Sequence, residues 1–363
     1  MSLIFCSNCR LPFPEQGIPY RCPTCTGVFD FPVLPDFRLS MVESNLPGIW
    51  RHRQNFGLLD DSPVISLGEG NTPLVECQAF GYRVNFKLEF VNPSGSYKDR
   101  GSAVLTSLLK QRGIGEIVED SSGNAGASIA AYTARAGIQA KIYVPDYASG
   151  PKLRQIEIYG AQVERVLGPR SNAAEAVRLA ADQGAVYASH AYLPHGLAGY
   201  ATIAFELFNQ LGSAPGTIVA PVGQGSLLLG IWRGFEALQR GGMIHKLPVL
   251  VGVQACACAP LWAVFTYGPA GLGWVAEGST VAEGVRVRYP VRGDALLEAV
   301  RSSGGFFLAV EEDEIHSGRD SLARLGLYVE PTSAIVWSAL GQALERVPGP
   351  VIVILTGSGL KST

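Results

Sequence analysis

The sequence predicts an α/β protein built on doubly wound parallel sheets, and three observations carry that reading. Short apolar runs, Glu116 to Val118, Ala140 to Val144, Thr217 to Ala220, Leu247 to Val253 and Val351 to Leu355, are each bounded by Gly, Pro or polar residues, the signature of strands buried on both faces. Between them, stretches such as Ala173 to Gln183, Ala201 to Gln210 and Pro331 to Arg346 place apolar residues at helical spacing, so strand and helix alternate with right-handed crossovers. The 363 residues, at roughly 150 per domain, suit two domains with a core large enough to hide a cofactor.

Composition removes several classes of function. Lys plus Arg total 29 against 31 for Asp plus Glu, leaving a formal charge of -2 and no basic field for nucleic acid or an anionic membrane. Hydrophobic residues at 47% and charged residues at 17% exclude a disordered or coiled-coil chain. Met1 to Phe5 lacks a basic region followed by a long apolar stretch, so no signal peptide is read and a cytoplasmic protein is expected. The least polar stretch, Leu247 to Phe265, is interrupted by Pro248, Gly252, Gln254 and Pro260, which fits a buried strand and a loop better than a membrane helix. Seven cysteines without a secretory signal suggest thiols and metal rather than a disulfide framework.

In chain order the first element is a pair of knuckles, Cys6-x-x-Cys9 and Cys22-x-x-Cys25, separated by a short Pro-rich loop. That spacing lets four thiolates converge tetrahedrally on one zinc ion, and residues 1–30 are read as a zinc ribbon. Four Cys ligands close the coordination sphere, so the metal would organise the segment without taking part in chemistry; the plainer alternative is a tail of free thiols. Residues 31–47, with prolines and no period, read as a connector.

Four turns could carry chemistry. In Asn92-Pro93-Ser94-Gly95-Ser96-Tyr97-Lys98-Asp99-Arg100-Gly101, a lysine near a helix start meets the helix's own partial positive charge, which favours the neutral amine that can form a Schiff base. Glu119-Asp120-Ser121-Ser122-Gly123-Asn124-Ala125-Gly126-Ala127-Ser128 follows a strand and precedes the Ala-rich helix Ile129 to Ala136. Its small residues admit a flat ligand and its amides a carboxylate, unless Ser122 or Asn124 simply caps the helix. In Pro221-Val222-Gly223-Gln224-Gly225-Ser226-Leu227, strand, glycine turn and helix cradle a phosphate; Leu228 stands where a dinucleotide fingerprint needs its third Gly. The last turn, Thr356-Gly357-Ser358-Gly359-Leu360-Lys361, has the wrong spacing for an ATP-binding P-loop.

Taken together, and with Ser66-Leu67-Gly68-Glu69-Gly70-Asn71-Thr72-Pro73-Leu74 added, these motifs resemble the pyridoxal-phosphate enzymes of fold type II, threonine synthase most of all, over about Ile65 to Lys361. The resemblance implies that Lys98 forms the Schiff base and that Asn124 bonds the phenolic oxygen of the cofactor. It gives the cofactor phosphate to Gly223, Gln224, Gly225, Ser226 and Leu227, and places Thr356, or less well Ser358, at the pyridine nitrogen. A hydroxyl there leaves the ring largely unprotonated. Ser121, Ser122, Gly123, Ala125 and Ser128 would hold the substrate, with Ser121, Ser122 and the amides before Ala127 on its carboxylate. The implied architecture is a large domain of residues 48–101 and 189–363, with a smaller α/β domain, 102–188, inserted into it and the cofactor in the cleft. The implied protein is a homodimer that takes a small amino acid and binds no nucleic acid or membrane.

The implied reaction converts O-phospho-L-homoserine and water to L-threonine and phosphate. Threonine synthases usually carry Asn-Pro-His-Arg-Leu-Glu-Gly where this chain reads Leu193-Pro194-His195-Gly196-Leu197-Ala198-Gly199, so Gly196 replaces the Arg that grips the substrate phosphate and Ala198 the Glu. Glycine offers nothing comparable to a guanidinium fork; Lys152, Arg154 or Arg170 are the candidate substitutes. Serine or threonine dehydration, β-replacement on O-phosphoserine or O-acetylserine, and a non-catalytic binding or regulatory protein of the same fold are the alternatives. His190 and His195 read as packing or hydrogen-bonding residues, and Cys256 and Cys258 as buried-turn residues; all four stand outside the predicted site.

Overall fold

The computed structural model describes residues 3–362. The chain opens with a small antiparallel ribbon, β1 (Phe5–Cys6) against β2 (Phe29–Asp30). The stretch expected to be a connector is anchored rather than loose, because Phe31, Leu34 and Phe37 are all buried. A hairpin follows, β3 (Leu74–Ala79) and β4 (Tyr82–Leu88), closed by Phe80 and Gly81, both at positive φ, 53° and 81°. Positive φ at both turn residues matches the twist of paired strands.

Alternation then sets in: α1 (Lys98–Gln111), β5 (Glu116–Glu119), α2 (Asn124–Ala136), β6 (Gln139–Pro145), α3 (Pro151–Ile158), β7 (Gln162–Val166), α4 (Arg170–Asp182) and α5 (Gly196–Leu211). It continues through β8 (Thr217–Pro221), α6 (Ser226–Arg240), β9 (Val249–Ala255), α7 (Pro260–Tyr267), α8 (Gly293–Ser302), β10 (Phe306–Val310), α9 (Glu312–Arg324), α10 (Pro331–Ala334), α11 (Val336–Ala343) and β11 (Val351–Leu355). All five apolar runs are strands. The apolar stretch at 331–346 is two short helices, α10 and α11, broken at Ile335. The Leu247 to Phe265 stretch becomes β9, a 3-10 turn and α7. No helix among the described residues is long and apolar enough to cross a membrane.

The chain gathers into two compact units. Among the described residues, one comprises 3–70 and 92–200, the other 71–91 and 201–362. The first holds the parallel sheet β5-β6-β7, extended by a parallel bridge from Val118 to Tyr187. The second holds the sheet β10-β9-β8-β11-β4-β3, parallel except at its β3 edge. Sequential neighbours do not always pair, so β11, last in the chain, lies between β8 and β4. That order places the ends of β8 and β11, with the turns that follow them, on adjacent strands. Inside this unit Lys87 of β4 is fully buried, and its ammonium donates to Glu206 Oε2 at 2.7 Å, Thr72 O at 2.8 Å and Gln210 Oε1 at 3.1 Å.

Candidate active site

In the first unit Lys98 is the first residue of α1. The loop before it is tied down from within: Asp99 accepts from the Ser94 amide at 2.6 Å, from the Ser94 hydroxyl, and from the Ser128 hydroxyl at 2.6 Å. Ser128 also donates to or accepts from Ser102 Oγ at 2.8 Å. Ser128 is fully buried, so its hydroxyl belongs to this anchoring network rather than to the face of the serine turn. Lys98 itself is half-buried, with Nζ 4.9 Å from the centre of the Tyr97 ring, and Tyr97 in turn lies 5.2 Å from Tyr200. The lysine thus has an anchored backbone and a side chain that is only partly buried.

The serine turn leads directly into α2, which begins at Asn124 rather than at Ile129. Gly123 occupies the cap position with no side-chain hydrogen bond, so the simple capping role weighed for Ser122 or Asn124 is not realised. The first-turn amides, which every helix leaves unpaired within itself, therefore have no side-chain cap from that position. Ser121 Oγ accepts from the Gly123 amide at 3.3 Å. Gly126 is required: a Cβ there would lie 1.8 Å from the Ser121 carbonyl oxygen.

In the second unit the turn after β8 is shaped by two glycines. A Cβ on Gly223 would meet the Gly284 carbonyl oxygen at 2.5 Å, and Gly225 combines φ of 80° with a 2.5 Å approach to Leu296. Only backbone can line such a cradle, and α6 starts immediately after it at Ser226 without a side-chain cap. Gln224 turns its side chain aside, Oε1 accepting from the Val291 amide at 3.0 Å. At the end of β11, Thr356 is 3% exposed and its hydroxyl has no hydrogen-bond partner among the described residues. Ser358 caps the following 3-10 turn, accepting from the Leu360 amide. A glycine turn of backbone amides at an uncapped helix start and an orphaned buried hydroxyl are features a phosphorylated pyridine ring fits.

Two residues absent from the predicted set complete the first unit's surface. Glu119, the last residue of β5, is 1% exposed, and its Oε1 lies 2.8 Å from His190 Nδ1. Burial, with Asp120 next, pushes the Glu119 carboxyl well up; burial, with Lys98 and Arg170 next, holds the His190 imidazole well below its ordinary range. Both shifts favour the uncharged forms. The nearby segment also receives the N-terminal ribbon: Phe13 meets His195 edge-on at 4.9 Å, Tyr20 lies 5.2 Å from Tyr187, and Arg21 donates to the Tyr192 hydroxyl at 2.8 Å. His195 is buried and packs as expected.

The sulfurs of Cys6, Cys9, Cys22 and Cys25 lie within 4.8 Å of one another, with Cys6 to Cys25 and Cys9 to Cys22 both at 3.5 Å. Four sulfurs about 2.3 Å from a common zinc would be roughly 3.8 Å apart, and a disulfide would need about 2.05 Å. The donor set and its spacing fit zinc.

The pyridoxal-phosphate dependent enzyme family matches residues 65–357. Threonine synthase of Methanocaldococcus jannaschii is 33% identical over 98% of this chain and 92% of its own length, and that of Synechocystis sp. is 34% identical over 85% and 82%. Among solved structures, a threonine deaminase from T.th. superposes with a TM-score of 0.66 at 26% identity, covering 79% of this chain and 92% of that one. Maize serine racemase does so with 0.68 at 21% identity over 79% and 88%, which bears on the fold alone. The chain belongs to the pyridoxal-phosphate-dependent enzymes, with the fold type II architecture. Within that class it is a threonine-synthase-like lyase, and its cofactor is pyridoxal phosphate.

Proposed function

We propose that this chain acts on the side chain of a small L-amino acid by the chemistry of threonine synthase, removing a leaving group and adding water. Lys98 carries the reading: a half-buried amine at the first residue of α1, on a loop immobilised through Asp99. When bound, pyridoxal phosphate supplies an aldehyde for a primary amine and a ring that withdraws electrons from the substrate's α carbon. Lys98 is the amine this chain would offer to that aldehyde, and its Nζ would be the group that takes and returns protons at the substrate's α carbon. The first-turn amides of α2, with Ser121, Ser122 and Gly123, hold the substrate carboxylate, and Ala125 lines its seat. The backbone of Gly223 to Leu227 holds the cofactor phosphate, Asn124 its phenolic oxygen, and the Thr356 hydroxyl its ring nitrogen.

The near-full-length likeness to threonine synthases supports O-phospho-L-homoserine as substrate and L-threonine with phosphate as products. A second reading, dehydration of L-serine or L-threonine or β-replacement, is favoured by one observation: the cavity that Gly196 lines is also lined by Glu119 and by no Lys or Arg. Product identity separates them. Equal amounts of phosphate and threonine from O-phospho-L-homoserine establish the first, ammonia and a 2-keto acid from L-serine or L-threonine establish dehydration, and binding without turnover of any of these returns the non-catalytic alternative.

We also assign a structural zinc to Cys6, Cys9, Cys22 and Cys25, within a cytoplasmic homodimer. The expected result is one zinc per chain by atomic emission. Cys9→Ser should lose most of that metal and expose the ribbon to protease, because the closed sphere needs all four thiolates. A metal-free protein with an equally protease-resistant N-terminus would refute the assignment.

A further inference from the structure

We propose that Glu119 and His190 form the polar end of the subsite for the substrate's side chain, and that this subsite takes an uncharged hydrogen-bonding group, a hydroxyl, in place of a phosphate. The inference rests on the amino-acid lyase reading and chooses among its substrates. The two residues line one small cavity, about 10 Å³, with Ala125, Leu193, Gly196 and Tyr200, which has room for a hydroxyl-sized group and not for a phosphate. Ala125 belongs to the first turn of α2, the proposed seat of the substrate carboxylate, so the pocket begins where the substrate's side chain must leave it.

The polar inventory of that pocket decides its occupant. Glu119 Oε1 is engaged by His190, whereas Glu119 Oε2 is buried with no hydrogen-bond partner among the described residues. A buried carboxyl oxygen without a partner costs about 1–3 kcal/mol, which a ligand hydroxyl would recover. No Lys or Arg side chain is among the residues lining the pocket. Lys98 and Arg170 reach the pair electrostatically, but Arg170 is exposed at the first residue of α4. A phosphate dianion would have to lie against a carboxyl group without a guanidinium fork, the arrangement that desolvation penalises most. Burial favours the uncharged forms of Glu119 and His190, a pair that both donates and accepts, which suits a hydroxyl and gives an ammonium group no fixed counter-charge. A Cβ at Gly196 would sit 3.5 Å from Gly101 Cα and 3.8 Å from Tyr200, ordinary contacts, so no backbone clash imposes the glycine that stands in the place of the Arg.

The experiment uses the holoenzyme and follows both the cofactor's visible spectrum and turnover. L-serine and L-threonine represent a hydroxyl, O-phospho-L-homoserine and O-phospho-L-serine a phosphate, and L-2,3-diaminopropionate an ammonium. The expected result is a kcat/KM at least roughly tenfold higher for a hydroxy amino acid than for either other class. Glu119→Gln should cut the binding preference for L-serine over L-alanine by about tenfold, because it alters the hydroxyl's partner and not the carboxylate seat. Faster turnover of a phosphorylated substrate or of diaminopropionate by the unaltered enzyme overturns the inference, whatever the variant does. So does a Glu119→Gln protein whose serine-to-alanine preference is unchanged. If no amino acid perturbs the spectrum, the lyase reading itself fails and the inference goes with it, an outcome distinct from a wrong side-chain class.

Discussion

Lys98→Ala is expected to reduce turnover by more than about a thousandfold while leaving the protein folded and able to bind the cofactor. The size follows from the two roles proposed for one amine, the protein's link to the cofactor aldehyde and the base at the α carbon; a positioned base alone contributes roughly 10²–10⁴ in rate. Folding should survive because Lys98 is half-buried and its loop is held by Asp99, Ser94 and Ser128 rather than by the lysine. Cofactor retention should survive because the Gly223 to Leu227 cradle is made of backbone. The checks are the visible spectrum, which should change to that of unlinked cofactor, and single-turnover kinetics on whichever amino acid the unaltered enzyme accepts. A variant keeping a tenth of the rate would move the chemistry to another residue. A protein whose biological role is unaffected by the change would favour the binding alternative.

The parts of the site that are legible in the sequence are those whose chemistry is local. Lys98 announces itself by position at a helix start, and Gly223 and Gly225 by a turn between strand and helix where backbone must come close. Thr356 and Ser358 can be ranked only by resemblance, since two hydroxyls in one turn look alike until one is seen capping a helix and the other buried without a partner. Ser128 reads in sequence as part of the serine turn because it is four residues beyond Asn124; helical geometry instead aims it at Asp99 and Ser102. Glu119 reads as the polar start of a turn, and His190 as packing. Their pairing spans 71 residues, and nothing local in either segment encodes it. The β3–β4 hairpin is hidden for a similar reason: Leu74-Val75-Glu76-Cys77-Gln78-Ala79 alternates weakly, and Phe80-Gly81 is not a usual turn pair, so the strand identity comes from pairing with β4 and, beyond it, β11.

That hairpin also carries the largest expected loss of stability. Lys87→Met should destabilise the protein by about 3–5 kcal/mol, a large share of the roughly 5–15 kcal/mol typical of folded domains. Lys87 is fully buried on the strand that pairs with β11, and it is the donor to Glu206 Oε2, which lies on α5 with only 5% of its side chain exposed. Removing the ammonium takes the charge partner at 2.7 Å from a buried carboxylate, whose Oε1 accepts from the Asn71 amide at 2.8 Å, and strips Thr72 O of a 2.8 Å bond. Methionine fills the volume, so the loss is electrostatic rather than a cavity. Glu206→Leu alone should also be costly, because the ammonium would keep Thr72 O and Gln210 Oε1 as acceptors but lose its charge partner. The double variant Lys87→Met/Glu206→Leu should recover most of either loss, since an apolar pair of similar volume has no desolvation penalty to offset. Urea midpoints of the four proteins decide it. If the single variants cost less than about 1 kcal/mol each, or if their effects simply add in the double variant, the buried pair is not what fastens the hairpin to α5.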